Sequence, residues 1–376
     1  MKIGILTFHY SINIGSVLQA YCVYKLFKQG LPQSQVEIIN LVPYNRELNE
    51  WNFIGRKSPF IKLNSIKRYA AIRHFIKYNT ELSKRAYYRN LSSQIKFINK
   101  QGYDYVVTGS DTVWMHSSKL GGMLPTIYFL PTQIEAKKMS VAASVDPLVD
   151  TKPYYDNKEE LKNVFDNYSI ISVRDKLTEN LLRQIGIAKV SQIADPTIIH
   201  DFETDFKIPT NKVDRINKKR VLVWASDKEL DGLIKQYISD LLNAEFVSVH
   251  AARSGKQSYV FDDLALYCNV DIVITDRFHR SIFALKLSNA LVINIERASK
   301  NPLPISKGRD LFENIGIADY CIRYEKGNEK DFEQKLINLV HNYSKDTFDK
   351  REELINKYIA ENKNKWKKLT SEILRE

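Results

Sequence analysis

The stretch from Asp271 to Ile295, DIVITDRFHRSIFALKLSNALVINI, constrains the fold more than any other part of the chain. Ile272, Val273 and Ile274 form a β-rich run, and Ala290, Leu291, Val292 and Ile293 form the next one. Between them Ile282, Phe283, Leu285 and Leu287 supply the buried side of a helix. Strand, helix and strand in that order are the repeating unit of a parallel α/β sheet. The handover from strand to helix is the polar turn Thr275, Asp276, Arg277, Phe278, His279, Arg280. Open α/β sheets bind ligands at such turns, because the helix start offers unpaired N–H groups and the positive end of its dipole. Two arginines flanking a histidine suit an anionic ligand beside a proton-transfer group. Solvated charges on a surface turn are the alternative.

The same unit recurs in both halves. Lys2 to Phe8 reads as a first strand, followed by the loop His9 to Ser16 and a helix from Val17 to Lys28. Val36 to Leu41, Tyr103 to Val107, Met139 to Ser144, Ser169 to Val173 and Lys189 to Ala194 are further strands. The residues from His200 to Lys219 turn polar and lose periodicity, which predicts a linker over 201–219. A second series then begins with a strand at Arg220 to Ala225 and ends in two charged helices, Asp331 to Tyr343 and Lys345 to Arg375. The expected architecture is α/β: two Rossmann-like doubly wound domains, 1–200 and 220–376, facing across a cleft, with C-terminal helices on the second.

Charge is distributed unevenly. The 376 residues carry a formal net charge of +12, and 56–100 holds twelve Lys or Arg against one acidic residue, Glu81. That segment therefore contributes +11, leaving the remainder near neutral, and its aromatics include Tyr69, Phe75, Tyr78 and Tyr87. Such a patch suits nucleic acid, anionic lipid or an acidic substrate, or is simply a solvated helical face. No apolar run approaches the roughly 20 residues that span a bilayer, and MKIGILTF enters a strand pattern directly. Three well-separated cysteines, Cys22, Cys268 and Cys321, fit a reducing cytoplasm. No Walker A, GxGxxG or HExxH pattern occurs, and His9, His74, His116, His200, His250 and His279 lack metal-ligand spacing. Neither a metal nor a cofactor is expected.

Polar loops follow strands at His9 to Ser16, Thr108 to Asp111, Arg174-Asp175 and Thr275 to Arg280. Parallel topology would gather the first three at one sheet edge and the last on the facing edge of a second sheet. Arg174 and Arg277 would then reach one ligand from opposite domains, with the bidentate geometry that carboxylate and phosphate require. His279 is the nearby side chain suited to proton exchange near neutrality. Asp175 and Asp276 are expected either to orient these groups or to cap helices. Asn13 and Gly15, with Ser16, could hold an anion or a sugar hydroxyl, or form an ordinary turn that uses the freedom of glycine.

Taken as a set, these motifs resemble one family. NIGSVLQAY, YDYVVTGSDTVW, SVRD at 172–175, ADPTI at 194–198 and DRFHRSIFAL at 276–285 are similar, in order, to the signatures of polysaccharide pyruvyl transferases. The resemblance implies a GT-B-like fold and transfer of pyruvate from phosphoenolpyruvate, a co-substrate, onto a sugar hydroxyl pair as a ketal, without metal. It implies a donor site containing Arg174 and Arg277, with His279 as acid/base. Arg280, standing where the family has glycine, and Lys307 join the candidate donor contacts. Asn13, Gly15, Ser110 and Asp111 are candidates for the acceptor side. The implied partners are phosphoenolpyruvate and a glycan acceptor, lipid-linked or not; the basic segment 56–100 offers peripheral contact at the inner face of the plasma membrane, and no nucleic acid is expected. Two rivals remain: a sugar-nucleotide glycosyltransferase gripping a diphosphate through Arg277 and Lys307, and a non-catalytic protein that binds membrane or nucleic acid through 56–100.

Overall fold

A computed structural model describes residues 1–43, 47–48, 52, 59–88, 90–116, 123–145, 150–205, 218–247, 259–297 and 305–375. The chain divides into two compact units. The first contains 1–200 and 362–376, and the second contains 201–361.

A parallel six-stranded sheet forms the first unit, in the order β2 (Gln35–Ile38), β1 (Lys2–Leu6), β5 (Tyr105–Asp111), β6 (Lys137–Ala143), β7 (Tyr168–Val173) and β8 (Ser191–Gln192). Strand order reverses between β1 and β5, so their carboxyl ends flank the position where such sheets bind ligands. All seven residues of β5 are buried, as the near-continuous apolar runs of a two-sided parallel sheet require. Trp114, Phe129 and Phe165 stack and meet edge-on in the core against one face, beside Leu6, Val106 and Val173. The expected strand from Val36 to Leu41 is broken into two. Its second part, β3 (Leu41–Pro43), pairs with β4 (Ala86–Tyr88) of the basic segment in a separate two-stranded sheet.

The second unit is a five-stranded parallel sheet ordered β10 (Ala244–Phe246), β9 (Lys219–Trp224), β11 (Ile272–Thr275), β12 (Leu291–Arg297) and β13 (Cys321–Tyr324). Its order reverses between β9 and β11. Val221, Ile274, Ile293 and Ile322 pack with Ile234 and Phe332 from flanking helices. The strand–helix–strand reading of 271–295 is realised as β11, the helix Phe278–Leu287 and β12. Two parallel Rossmann-like sheets with helices thus make up an α/β chain.

One boundary differs from expectation. The helix Lys345–Arg375 begins with the second unit, but its end belongs to the first. Asn362 Oδ1 accepts the Ala194 N–H at 2.8 Å, and Trp366 packs edge-on against Phe27 while its indole N–H donates to Leu26 O at 3.4 Å. Apolar positions on a long charged helix reveal that it packs, but not against which sheet. Of the predicted linker over 201–219, residues 206–217 lie outside the described residues, Phe202–Thr204 form a 3₁₀ turn and Lys219 already opens β9.

Candidate active site

The carboxyl edge of the first sheet is closed by a buried polar network. Gln19, on the helix Ile14–Gly30 that follows β1, donates to Ser110 Oγ on β5 and, at 3.0 Å, to Asp195 Oδ2. The same Asp195 oxygen accepts from the Arg174 guanidinium at 2.8 Å. Asp195 Oδ1 meanwhile caps the turn after β8 through Thr197 N–H at 2.9 Å and Thr197 Oγ1 at 2.6 Å. Asp175 is a helix cap as well, accepting from Thr178 N–H and Oγ1 at 2.9 and 2.6 Å, and from Ser144 Oγ at 2.6 Å. Capping, one of the two roles expected of Asp175, is therefore present.

Arg174 does not have the geometry of an open anion clamp. Its side chain is 4% exposed and is held between Asp195 and Asp175. Burial pulls its pKa down, but the carboxylates of Asp195, Asp175 and Asp111 outweigh that and leave it raised, so the charge stays. Asp111 takes a left-handed backbone (φ 71°), is buried, and accepts the Thr112 N–H at 2.8 Å. Two residues earlier Gly109 has φ 126°, and a Cβ there would collide with Val141 O on β6. Asn13 caps its helix by accepting the Gly15 N–H at 3.0 Å. Gly15 is helical without positive φ, so the turn makes no use of glycine's freedom.

His9, in the loop after β1, is buried with its ring nitrogens 3.2 Å from Thr7 O and 3.0 Å from the Asn40 side-chain amide. Desolvation, aided by the Arg73 and Arg85 charges, lowers its pKa to about 4 against the Asn40 contact. It is neutral at neutral pH.

The second unit presents its functional turn differently. Arg277 occupies the N-cap position of the helix Phe278–Leu287, and its side chain makes no cap. Its side chain is 56% exposed and lies 3.7 Å from Asp276. Asp276 is not the helix cap. It sits one residue too early, and instead accepts the Ser226 N–H at 2.9 Å and pairs with Arg297 at 3.1 Å, lacing the loops after β9 and β11 together. His279, the second residue of the helix, is half-buried, edge-on to Phe278 and stacked on Phe283 at 6.3 Å. A ring fixed on two aromatics is aimed rather than free to swing.

Arg280 is committed to the protein. Its guanidinium covers the Trp224 ring at 4.3 Å, donates to Tyr267 Oη at 2.8 Å and lies 3.9 Å from Asp263. Burial pushes the Tyr267 hydroxyl up despite the adjacent cation, so it remains a neutral acceptor. This arginine therefore braces the helix start against β9, at a side-chain exposure of 14%. Lys307 heads a second helix, Lys307–Ile315, whose start is fixed by Glu296: it accepts Ser306 N–H at 3.0 Å and Arg309 Nε at 2.8 Å. Gly308 abuts Asn294, and Asn294 in turn donates to Thr275 O and Ser281 Oγ at 3.3 and 3.0 Å. One buried amide thus couples the Lys307 helix to the Arg277 turn.

Of the residues singled out from sequence, Ser110, Asp111 and Arg174 come together in the first unit. Arg277, His279, Arg280 and Lys307 gather at one sheet edge in the second. Gln19, Asp195, Trp224 and Asn294 were missed. Gln19 and Asp195 lie inside NIGSVLQAY and ADPTI, and Asn294 is the lone polar residue in an apolar strand run, so each left a readable trace. Among the described residues no group of three His, Cys, Asp or Glu side chains is placed to hold a metal ion, and no helix is long and apolar enough to cross a membrane.

Among solved structures the fold is similar to S. aureus MnaA bound to UDP, at 13% identity and a TM-score of 0.50, covering 93% of this chain and 90% of that one. It is also similar to the spinosyn rhamnosyltransferase SpnG (11% identity, TM-score 0.46, 96% and 95% covered). A third is the lipopolysaccharide outer core galactosyltransferase WaaB in apo form (10%, 0.45, 97% and 99%). At these identities the likeness is one of fold alone. No curated protein matches the chain by sequence. The polysaccharide pyruvyl transferase family model matches residues 13–288, a span that contains the buried network, the Arg277–His279 turn and all five sequence motifs. By this match the chain belongs to the polysaccharide pyruvyl transferase family and is a transferase.

Proposed function

We propose that the chain moves the enolpyruvyl-derived group of phosphoenolpyruvate onto a pair of sugar hydroxyls as a ketal, releasing phosphate and using no metal or cofactor. The acceptor is a cell-surface polysaccharide precursor, and the enzyme works in the cytoplasm. The observation that carries this reading is the helix start at Phe278, where the exposed Arg277 and the aromatic-held His279 converge within three residues. Phosphoenolpyruvate bears a carboxylate and a phosphate on neighbouring atoms. A guanidinium with a fixed fork of donors, beside a helix dipole, matches that pair of charges.

Protonation of C3 by His279 makes C2 electrophilic, and the first sugar oxygen bonds to C2 as its proton leaves. Departure of phosphate regenerates an oxocarbenium-like centre, and the second hydroxyl captures it to close the ring. A positioned acid is worth roughly 10²–10⁴-fold in rate. Lys307, on the helix tied to this turn through Asn294, adds a second cation for the phosphate. Arg280 supports the turn from behind. Arg174 acts as a positioning residue for Ser110 and Asp111, the acceptor-side candidates, with Asn13 and Gly15 shaping the neighbouring helix start.

An acceptor screen read by phosphate release tests the reading. His279→Ala should lower turnover by about 10²–10⁴-fold while phosphoenolpyruvate still binds. Near-normal turnover in that variant, or release of a nucleoside diphosphate from a sugar nucleotide in place of phosphate, would replace this mechanism with glycosyl transfer.

A further inference from the structure

The basic segment has two faces. Its helix Pro59–Asn79 contains no acidic residue. Ile72, Phe75 and Ile76 are buried on one side, and Phe75 meets Tyr21 at 5.2 Å. Arg73 and Arg85, the obvious charges, turn inward to the same Glu47 carboxylate at 3.4 and 2.8 Å, with Tyr69 donating to it at 2.8 Å. The opposite side is a single stripe: Leu63, Ile66, Lys67, His74, Lys77 and Tyr78 are all exposed. At 3.6 residues per turn these positions fall within an arc of roughly 120°.

That stripe mixes two chemistries that seldom share a solvated surface. Leu63 is 51% exposed, Ile66 36% and Tyr78 67%, all three on one helix. Lys67 and Lys77 flank them, and Tyr87, also exposed, carries Arg85 over its ring at 4.5 Å. A solvated helix face would replace the leucine and isoleucine with polar residues. A phosphate backbone would use the lysines but leave the aliphatic side chains without a partner. Anionic lipid satisfies both: lysines meet headgroup charge, aliphatic side chains enter the headgroup–acyl boundary, and tyrosine sits at that depth.

We propose that the Leu63–Tyr78 face of the helix Pro59–Asn79 docks on an anionic lipid bilayer surface. It stands independently of the donor chemistry, because the residues belong to neither candidate substrate group. The test is flotation of the full chain with phosphatidylcholine vesicles, with and without phosphatidylglycerol. Wild type should bind only the phosphatidylglycerol vesicles. Replacing Lys67 and Lys77 by alanine should weaken partitioning about 30-fold, from about 1 kcal/mol per lysine. Leu63→Ser with Ile66→Ser should abolish it while the variant melts at the wild-type temperature. Binding unchanged in both pairs of variants would overturn the proposal. So would an absence of vesicle binding beside steeply salt-dependent binding of duplex DNA, which would assign the face to nucleic acid.

Discussion

Arg174 and Arg277 occupy almost the same chemical sentence in the chain: each follows a parallel strand, neighbours an aspartate and precedes a helix. The structure treats them in opposite ways. In the first unit the aspartate comes after the arginine, takes the N-cap position and leaves the arginine inside the sheet edge, paired with Asp195, to which Gln19 also donates. In the second unit the aspartate comes before the arginine, bonds back to the loop after β9, and puts the arginine itself at the N-cap, facing solvent. Reversing two residues converts a buried ion pair into an exposed cation at a helix start. A buried pair resists rearrangement and fixes shape, whereas an exposed one exchanges water for a ligand at small cost.

The sharpest way to break this comparison is to remove one partner of the buried pair. Asp195→Ala should destabilise the protein by about 3–5 kcal/mol, because it leaves the Arg174 charge buried without its principal counter-ion. Denaturant unfolding followed by tryptophan fluorescence measures it, and a loss below about 1 kcal/mol would mean that Arg174 is hydrated.

A second contrast lies in acid. His9 has a folded pKa of about 4, below the ordinary unfolded value near 6.5. The unfolded chain therefore takes up the proton first as pH falls. The stabilisation from the neutral buried ring is complete above about pH 6.5 and is lost progressively between there and about pH 4, on the order of 3 kcal/mol in all. His9→Gln should flatten that part of the stability–pH curve, and an unchanged slope would show that another group carries it.

The smallest stability effect belongs to Arg277. Its alanine variant should unfold within about 0.5 kcal/mol of wild type, as for other exposed positions. If it falls as far as Asp195→Ala, the distinction between the two arginines fails.

Much of this was legible beforehand, and the reasons for the rest are physical. Periodicity located β1, β2 and β5 to β12 because buried parallel strands leave apolar runs that local sequence cannot hide, but it left the four-residue edge strand β13 unread. It missed β4, whose Tyr87 is exposed and whose partner strand lies far away in the chain, and it assigned the end of the last helix to the wrong unit. The turn holding Arg277 and His279 could be read as anion-friendly from residue types alone. Which side chains it leaned on could not: Arg280 finds Trp224, and Asp276 finds Ser226, through sheet pairing of β9 with β11. Arg174 likewise depended on Asp195 and Gln19, whose contacts across the chain only topology supplies.

On the proposed reaction the exposed Arg277 holds the donor. Thermal unfolding with added phosphoenolpyruvate tests it without knowledge of the acceptor. Phosphoenolpyruvate should stabilise wild type and His279→Ala, sugar nucleotides should stabilise neither, and the effect should be lost in Arg277→Ala. Equal stabilisation of Arg277→Ala and wild type, or none in either, would contradict it.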